Sequence, residues 1–164
     1  MKIGFFAGSF DPFTIGHLNI LKTATKLFDK VIVGIGINPQ KTRRFERKIM
    51  KDAIMDLLLS EKIKNVKVIT YDGLPAEAAL EYEANFLIRG IRNGDEYKFE
   101  ENLAILNKEI SNIDTLFLRS DKYSFISSSM AYELFIRNVD VSKYIPQIII
   151  DAIKKWDISL FLKI

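Results

Sequence analysis

A chain of 164 residues has the length of one ordinary domain, enough to bury a core and too little for two. Its 48% apolar and 27% charged residues exclude wholesale disorder, and 24 basic against 21 acidic residues leave +3, too small a surplus to demand a nucleic acid or other polyanionic partner. The absence of cysteine excludes disulfides and thiolate metal sites and suits a reducing cytoplasm.

The opening "MKIGFFAGSFD" turns polar after five or six apolar residues, so it reads as neither signal peptide nor membrane anchor. No later run approaches the roughly 18 apolar residues of a spanning helix, and a cytoplasmic protein without membrane contact is expected. Strand-length apolar runs occur at Lys2 to Ala7, Val31 to Ile37, Val66 to Tyr71, Phe86 to Ile88 and Thr115 to Leu118. Several are nearly continuous, as buried parallel strands are. Helical spacing joins Leu18, Leu21, Ala24 and Phe28, then Ile49, Ala53 and Leu57 beside Met50, Ile54 and Leu58. It returns at Phe99, Leu103, Leu106 and Ile110, and last at Ile149, Ala152, Ile153 and Trp156. Strand followed by helix, repeated, predicts an α/β fold: a doubly wound, mainly parallel five-stranded sheet with helices on both faces, over one domain spanning 1–164.

In such a sheet ligands bind at the carboxyl ends of strands where the winding reverses, which points to the loops after strands one, two and four. These are "GSFDPFTIGH", "NPQKTRRF" and "RGIRNGDEY". In the first, Gly8 suits a tight turn and close backbone approach, and Pro12 fixes its own φ. Thr14 to His17 falls where a helix begins, so free N–H groups and the helix dipole favour an anion there. Thr14 and His17 share a face in that first turn, and the only histidine of the chain is placed to stabilise charge on a phosphoryl oxygen. Ser9 adds a hydroxyl donor.

Two phosphate signatures are absent. There is no G-x-x-x-x-G-K-[ST], and in "GIGINP" Pro39 stands where a dinucleotide fingerprint needs a third glycine. Gly34 and Gly36 are expected to let a strand lie close to its neighbour. What remains resembles a known pattern. "GSFDPFTIGH" is similar to the T/H-x-G-H signature of a nucleotidyltransferase superfamily, and "RGIR" with "YSFISSS" resembles the bacterial phosphopantetheine adenylyltransferases in particular, in order along nearly the whole chain.

That resemblance implies transfer of the AMP part of ATP, with Mg²⁺, to 4′-phosphopantetheine, giving dephospho-coenzyme A and pyrophosphate, the penultimate step of coenzyme A synthesis. It implies catalytic roles for His17, Lys41, Arg92 and Ser9, with His17 against the transferring phosphoryl group and no covalent intermediate. ATP is expected to meet Gly8, Ser9, Phe10, His17, Gly90, Ile91, Arg92, Glu100, Tyr123, Ser124, Phe125, Ile126 and the triplet Ser127, Ser128 and Ser129, the last three at a helix N-terminus facing the β- and γ-phosphates. The acceptor is expected to meet Ser9, Lys41 and Arg89 through its phosphate. Leu74, Pro75, Leu103, Leu106 and Asn107 match a groove for its arm, although periodicity alone assigns Leu103 and Leu106 to core. No side chain is assigned to the metal. Apart from Lys41, the run "KTRRFERK" reads as a solvated basic face. Three positions depart from the family pattern: Tyr123 replaces a usual tryptophan, and Glu96 and Lys98 stand for the usual Asp and Glu. The resemblance also implies a homohexamer, with Tyr132 to Arg137 as a contact surface, while the apolar tail at 157–164 is expected to pack on its own domain.

Two rivals have distinct signatures. Nicotinate mononucleotide adenylyltransferases and cytidylyltransferases share the first motif, but a late signature resembling "RTEGIST", which cytidylyltransferases carry, is missing. A non-catalytic basic nucleic-acid binder would explain the pI of about 9.0, yet requires clustered charge, and here the basic residues are scattered among 21 acidic ones.

Overall fold

The five apolar runs become five strands in a computed structural model, which describes residues 1–161, with side chains described for all of these except Asp121 and 157–161. In chain order the elements are β1 (Ile3–Gly8), α1 (Ile15–Leu27), β2 (Lys30–Ile35), α2 (Arg47–Ser60), β3 (Val66–Thr70), α3 (Pro75–Glu81), β4 (Phe86–Ile91), α4 (Gly94–Ser111), β5 (Asp114–Arg119), α5 (Ser128–Ile136) and α6 (Gln147–Phe161). A short 3₁₀ turn, Asp121–Tyr123, separates β5 from α5. All strand pairs are parallel, in the order β3-β2-β1-β4-β5. The winding therefore runs outward from β1 to β3, then returns to place β4 on the other side of β1. The reversal lies between β1 and β4, where a crevice must open because the following helices leave on opposite faces.

The period-two alternation of the strands divides the core. Phe6, Val31, Val33, Ile35, Val68 and Ile88 point to the layer formed with α1, α2, α5 and α6. Ile3, Phe5, Ala7, Ile32, Ile69 and Leu87 point to the other side, with Ala78 and Ala79 of α3. Burying Phe5, Leu21, Ile54, Ile88 and Ile149 to within 2% of full enclosure stabilises each by roughly 1.5–3 kcal/mol relative to exposure. Three sequence expectations change. Helix α3, short and alanine-rich, is additional to the four helices that periodicity marks. The strand at Val31 begins at Lys30 and stops at Ile35, so Gly36 and Ile37 are already loop. Gly34 and Gly36 make room for rings rather than strands: a Cβ would lie 2.5 Å from the Phe5 ring at Gly34 and 2.6 Å from the Tyr71 ring at Gly36.

Helix α4 overturns the core reading of its apolar spacing. Glu100 is its only buried residue, whereas Phe99, Leu106 and Ile110 are about half exposed and Leu103 is half-buried. No described helix is long and apolar enough to cross a membrane. The expectation for the tail at 157–164 lies outside the residues whose side chains are described.

Candidate active site

At the β1/β4 reversal lies a cleft of about 560 Å³. Its floor is the end of β1 and the loop after it (Gly8, Ser9, Phe10), and one wall is the start of α1 with Thr14, Gly16 and His17. Asn38 and Lys41 enter from the loop after β2, Arg89, Gly90, Ile91 and Arg92 from the end of β4, and Glu96, Phe99 and Glu100 from α4. Ser120, Tyr123, Ile126 and Ser127, Ser128 and Ser129 close the far side. Segments as distant in the chain as Gly8 and Ser129 thus meet around His17 because parallel strands deliver all their following loops to one edge.

The β1–α1 loop owes its shape to Phe10. That residue has φ of 45°, so the left-handed position of the loop is Phe10. Gly8 is required for another reason: a Cβ there would sit 2.7 Å from the Phe10 ring folded over it. The Phe10 ring then meets His17 edge-on at 5.0 Å, and Phe13 meets it at 5.4 Å. Thr14 caps α1: its hydroxyl accepts from the His17 N–H at 3.3 Å, and its own N–H donates to His17 Nδ1 at 3.0 Å. A backbone N–H can only donate, so Nδ1 is unprotonated and the proton resides on Nε2. Burial among the two phenyl rings, then the positive charges of Arg92 and Arg89, push the imidazole pKa down from 6.5 to about 3. His17 is a neutral hydrogen-bond donor at any physiological pH.

The two arginines are pre-oriented by carboxylates. Arg89 donates through Nε and Nη2 to both oxygens of Glu100, at 2.7 and 2.6 Å, and through Nη1 to the carbonyl of Ala7 at 2.6 Å. Three of its five N–H groups are thereby used, leaving two. Arg92 donates to Glu96 through Nε and Nη2, and more weakly to the Ile126 carbonyl at 3.3 Å. Desolvation alone would raise the Glu96 carboxyl, but hydrogen bonds from Arg92 hold it below the usual carboxylate range. Lys41 stands exposed at the cleft mouth.

The serine triplet forms the entry of α5 as the sequence suggests. Ser127 is the N-cap and accepts from the Met130 N–H at 3.1 Å, Ser128 donates to the Pro12 carbonyl at 2.8 Å, and Ser129 accepts from Arg44 at 3.1 Å. Only Ser128 spends its O–H hydrogen on the protein; Ser127 and Ser129 act there as acceptors, so their O–H groups stand with the N–H groups of residues 128 and 129 as anion donors, while the Met130 N–H is taken by the cap. Four expected positions lie outside the cleft wall: Ser124, Phe125, Pro75 and Leu74, with Phe125 63% exposed and its ring edge-on to Tyr144. Leu103, Leu106 and Asn107 are likewise not part of it, lying farther along α4 than Glu100.

The reading of "KTRRFERK" as a solvated face fails for its arginines. Arg43 donates to the Ser9 carbonyl at 2.8 Å, Arg44 to the Asp11 carbonyl at 2.8 Å, and Arg47 to the Tyr71 carbonyl at 2.7 Å and Asp72 at 2.9 Å. Burial pulls the Arg43 guanidinium below its usual value. The carboxylate of Asp11, itself buried, accepts from the N–H groups of Arg44 and Phe45 at 2.7 and 3.0 Å. Asp11, Arg43 and Arg44 line a small cavity beside the cleft, and the sequence did not single them out. Only the pairing of a buried acid in loop one with backbone in loop two reveals them.

The sequence model of the cytidylyltransferase-like family matches residues 5–134. The chain is 42% identical to phosphopantetheine adenylyltransferase of Porphyromonas gingivalis, over 89% of this chain and 95% of that one. It is 40% identical to the enzyme of that name from Streptococcus mutans, over 94% and 93%, and 37% identical to that from Shouchella clausii, over 94% and 98%. Among solved structures, the nicotinic acid mononucleotide adenylyltransferase of Plasmodium falciparum superposes with a TM-score of 0.68 over 95% of this chain and 96% of that one, at 18% identity, which speaks for the fold alone. Sequence identity of 37–42% over about nine-tenths or more of each chain makes the chain a member of the phosphopantetheine adenylyltransferase family within the cytidylyltransferase-like group.

Proposed function

We propose that this protein, working as one domain across 1–164, transfers the adenylyl group of ATP to 4′-phosphopantetheine, giving dephospho-coenzyme A and pyrophosphate. An oxygen of the acceptor phosphate attacks the α-phosphorus as the bond to the β-phosphate oxygen breaks, and pyrophosphate leaves with that bonding pair. The acceptor phosphate is already anionic at neutral pH, so no side-chain nucleophile is needed. The obstacle is repulsion between two polyanions. Lys41, Arg89 and Arg92 offset it, and the Nε2–H of neutral His17 donates to the oxygen on which charge grows. A neutral imidazole held by Thr14 in the donor tautomer, in one cleft with those three cations, carries the reading.

Ser9 adds a hydroxyl to the floor, and the N-terminus of α5 faces the β- and γ-phosphates. Gly8, Phe10, Gly90, Ile91, Tyr123 and Ile126 shape the nucleotide half of the cleft. Glu100 and Glu96 act through the arginines they hold, and Leu74, Pro75, Leu106 and Asn107 offer a path for the acceptor's arm away from the phosphates. The residues present do not form a cage for Mg²⁺. Among the described residues no three acidic or imidazole groups cluster to hold a metal, and both cleft carboxylates are committed to guanidiniums. The ion expected from the resemblance is therefore proposed to be held by triphosphate oxygens and water.

A homohexamer in the cytoplasm completes the proposal. Of the suggested contact stretch, Tyr132 is engaged inside the subunit by Phe45 and Arg44, while Ile136 is 55% exposed. Pyrophosphate release from ATP, measured separately with 4′-phosphopantetheine, nicotinate mononucleotide and glycerol phosphate, tests the function. Release is expected with the first alone. Equal release with nicotinate mononucleotide would reassign the acceptor.

A further inference from the structure

We propose that Arg44 is a positioning residue for the triphosphate end of the cleft, an inference that rests on the adenylyl-transfer reading above. Arg44 engages both Nη atoms and one face of its guanidinium. Nη1 donates to the Asp11 carbonyl at 2.8 Å, Nη2 donates to the Ser129 hydroxyl at 3.1 Å, and the plane covers the Tyr132 ring with 4.7 Å to its centroid. Ser129 and Tyr132 are three apart on α5, so they share a face and one guanidinium grips the first turn of that helix twice. The same group holds the β1–α1 loop, from which Ser9 and His17 are presented. Arg44 thus fixes the distance between the two parts of the cleft that must act on one triphosphate.

Its charge adds to the geometry. A small cavity of about 40 Å³ adjoins the cleft, sharing Ser9, Lys41 and Ser129 with it and lined also by Arg43, Arg44 and Thr42. The one carboxylate on that cavity, Asp11, already accepts two backbone N–H groups. Three cations therefore face the end of the cleft where the leaving group gathers negative charge, and arginine's fork fixes direction as well as charge. The side chain is separable from the fold. The loop after β2 stays latched through the backbone N–H groups of residues 44 and 45 on Asp11, whatever side chain stands at 44.

The test uses the full chain and two variants, Arg44→Met, which keeps an apolar stem over Tyr132, and Arg44→Lys, which keeps charge without the fork. Calorimetric titration with inorganic pyrophosphate and with ATP is set beside the KM of each substrate and the melting temperature. For Arg44→Met, affinity for pyrophosphate and ATP is expected to fall about tenfold or more, with KM for 4′-phosphopantetheine within about twofold and melting within a few degrees. Arg44→Lys is expected to recover only part of the loss. A folded Arg44→Met that binds pyrophosphate and ATP like the wild type overturns the proposal. So does a parallel loss of both substrates together with melting temperature, which would mark a merely structural role. Pyrophosphate binding is read without turnover, so a wild-type protein that binds it yet releases none with 4′-phosphopantetheine sinks the transfer reading and not this one.

Discussion

His17 shows how a single side chain is prepared for its task by the residues packed around it. The Thr14 N–H fixes the tautomer, Phe10 and Phe13 flank the ring and reduce its solvation, and Arg92 and Arg89 repel a proton from it. An oriented donor of this kind lowers a barrier by about 3–4 kcal/mol. His17→Ala is accordingly expected to cut turnover about a hundredfold or more, with little change in melting temperature, in a pyrophosphate-release assay. The imidazole also links stability to pH. Its pKa is about 3 in the folded chain against 6.5 unfolded, so between these values the unfolded state binds the extra proton and stability falls as pH drops below 6.5. His17→Gln removes that contribution. The difference in urea midpoint between wild type and His17→Gln is expected to shift against the wild type from pH 7 to pH 4, and a constant difference would contradict a buried neutral imidazole.

At the scale of elements, the site depends on a latch between two loops rather than on either loop alone. Asp11 accepts two N–H groups from the loop after β2, Arg43 and Arg44 return hydrogen bonds to the Ser9 and Asp11 carbonyls, and Ser128 ties α5 to the Pro12 carbonyl. Phe45, at the end of the latch, packs against Tyr132 of α5 and Trp156 of α6. Removing the buried acceptor leaves two N–H groups unsatisfied, at about 1–3 kcal/mol each. Asp11→Ala is therefore expected to lose about 2–6 kcal/mol of unfolding free energy in urea, and to weaken ATP binding more than a core truncation of equal cost, because the two loops bearing Ser9 and Lys41 are released from each other. Equal binding losses in the two variants would contradict a latch.

Across the whole molecule, the distribution of apolar surface is uneven. The helices α1, α2 and α5 bury most of their apolar faces in one core, whereas α4 buries only Glu100 and presents Phe99, Ile105, Leu106 and Ile110, each between 47% and 57% exposed, and β5 at the sheet edge is only half-buried at its centre. Contiguous apolar surface of this kind marks an interaction face. Self-association is the expected outcome in sedimentation experiments at micromolar concentration, and Leu106→Glu with Ile110→Glu is expected to shift the protein toward monomer with its fold retained. A wild type that sediments as a monomer would contradict the proposed assembly.

The sequence by itself determined the five strand-length runs, the alternation of strands with helices apart from α3, and the three loops that carry the site. These follow from local rules: near-continuous apolar strands, helical spacing, and Thr14 and Ser127 where caps are needed. Motif resemblance supplied His17, Lys41, Arg89, Arg92 and the serine triplet, and the cleft brings them together. Only the tertiary structure decided the rest. Asp11, Arg43 and Arg44 look like ordinary surface charges until two loops more than 30 positions apart pair with each other. The helical spacing of α4 reads as core because periodicity records which residues share a face, not what covers it. Likewise the need for glycine at position 8 arises from how the Phe10 ring folds back over it, and the protonation state of His17 from burial and then from the charges of Arg92 and Arg89 at the end of β4, all set by contacts in space.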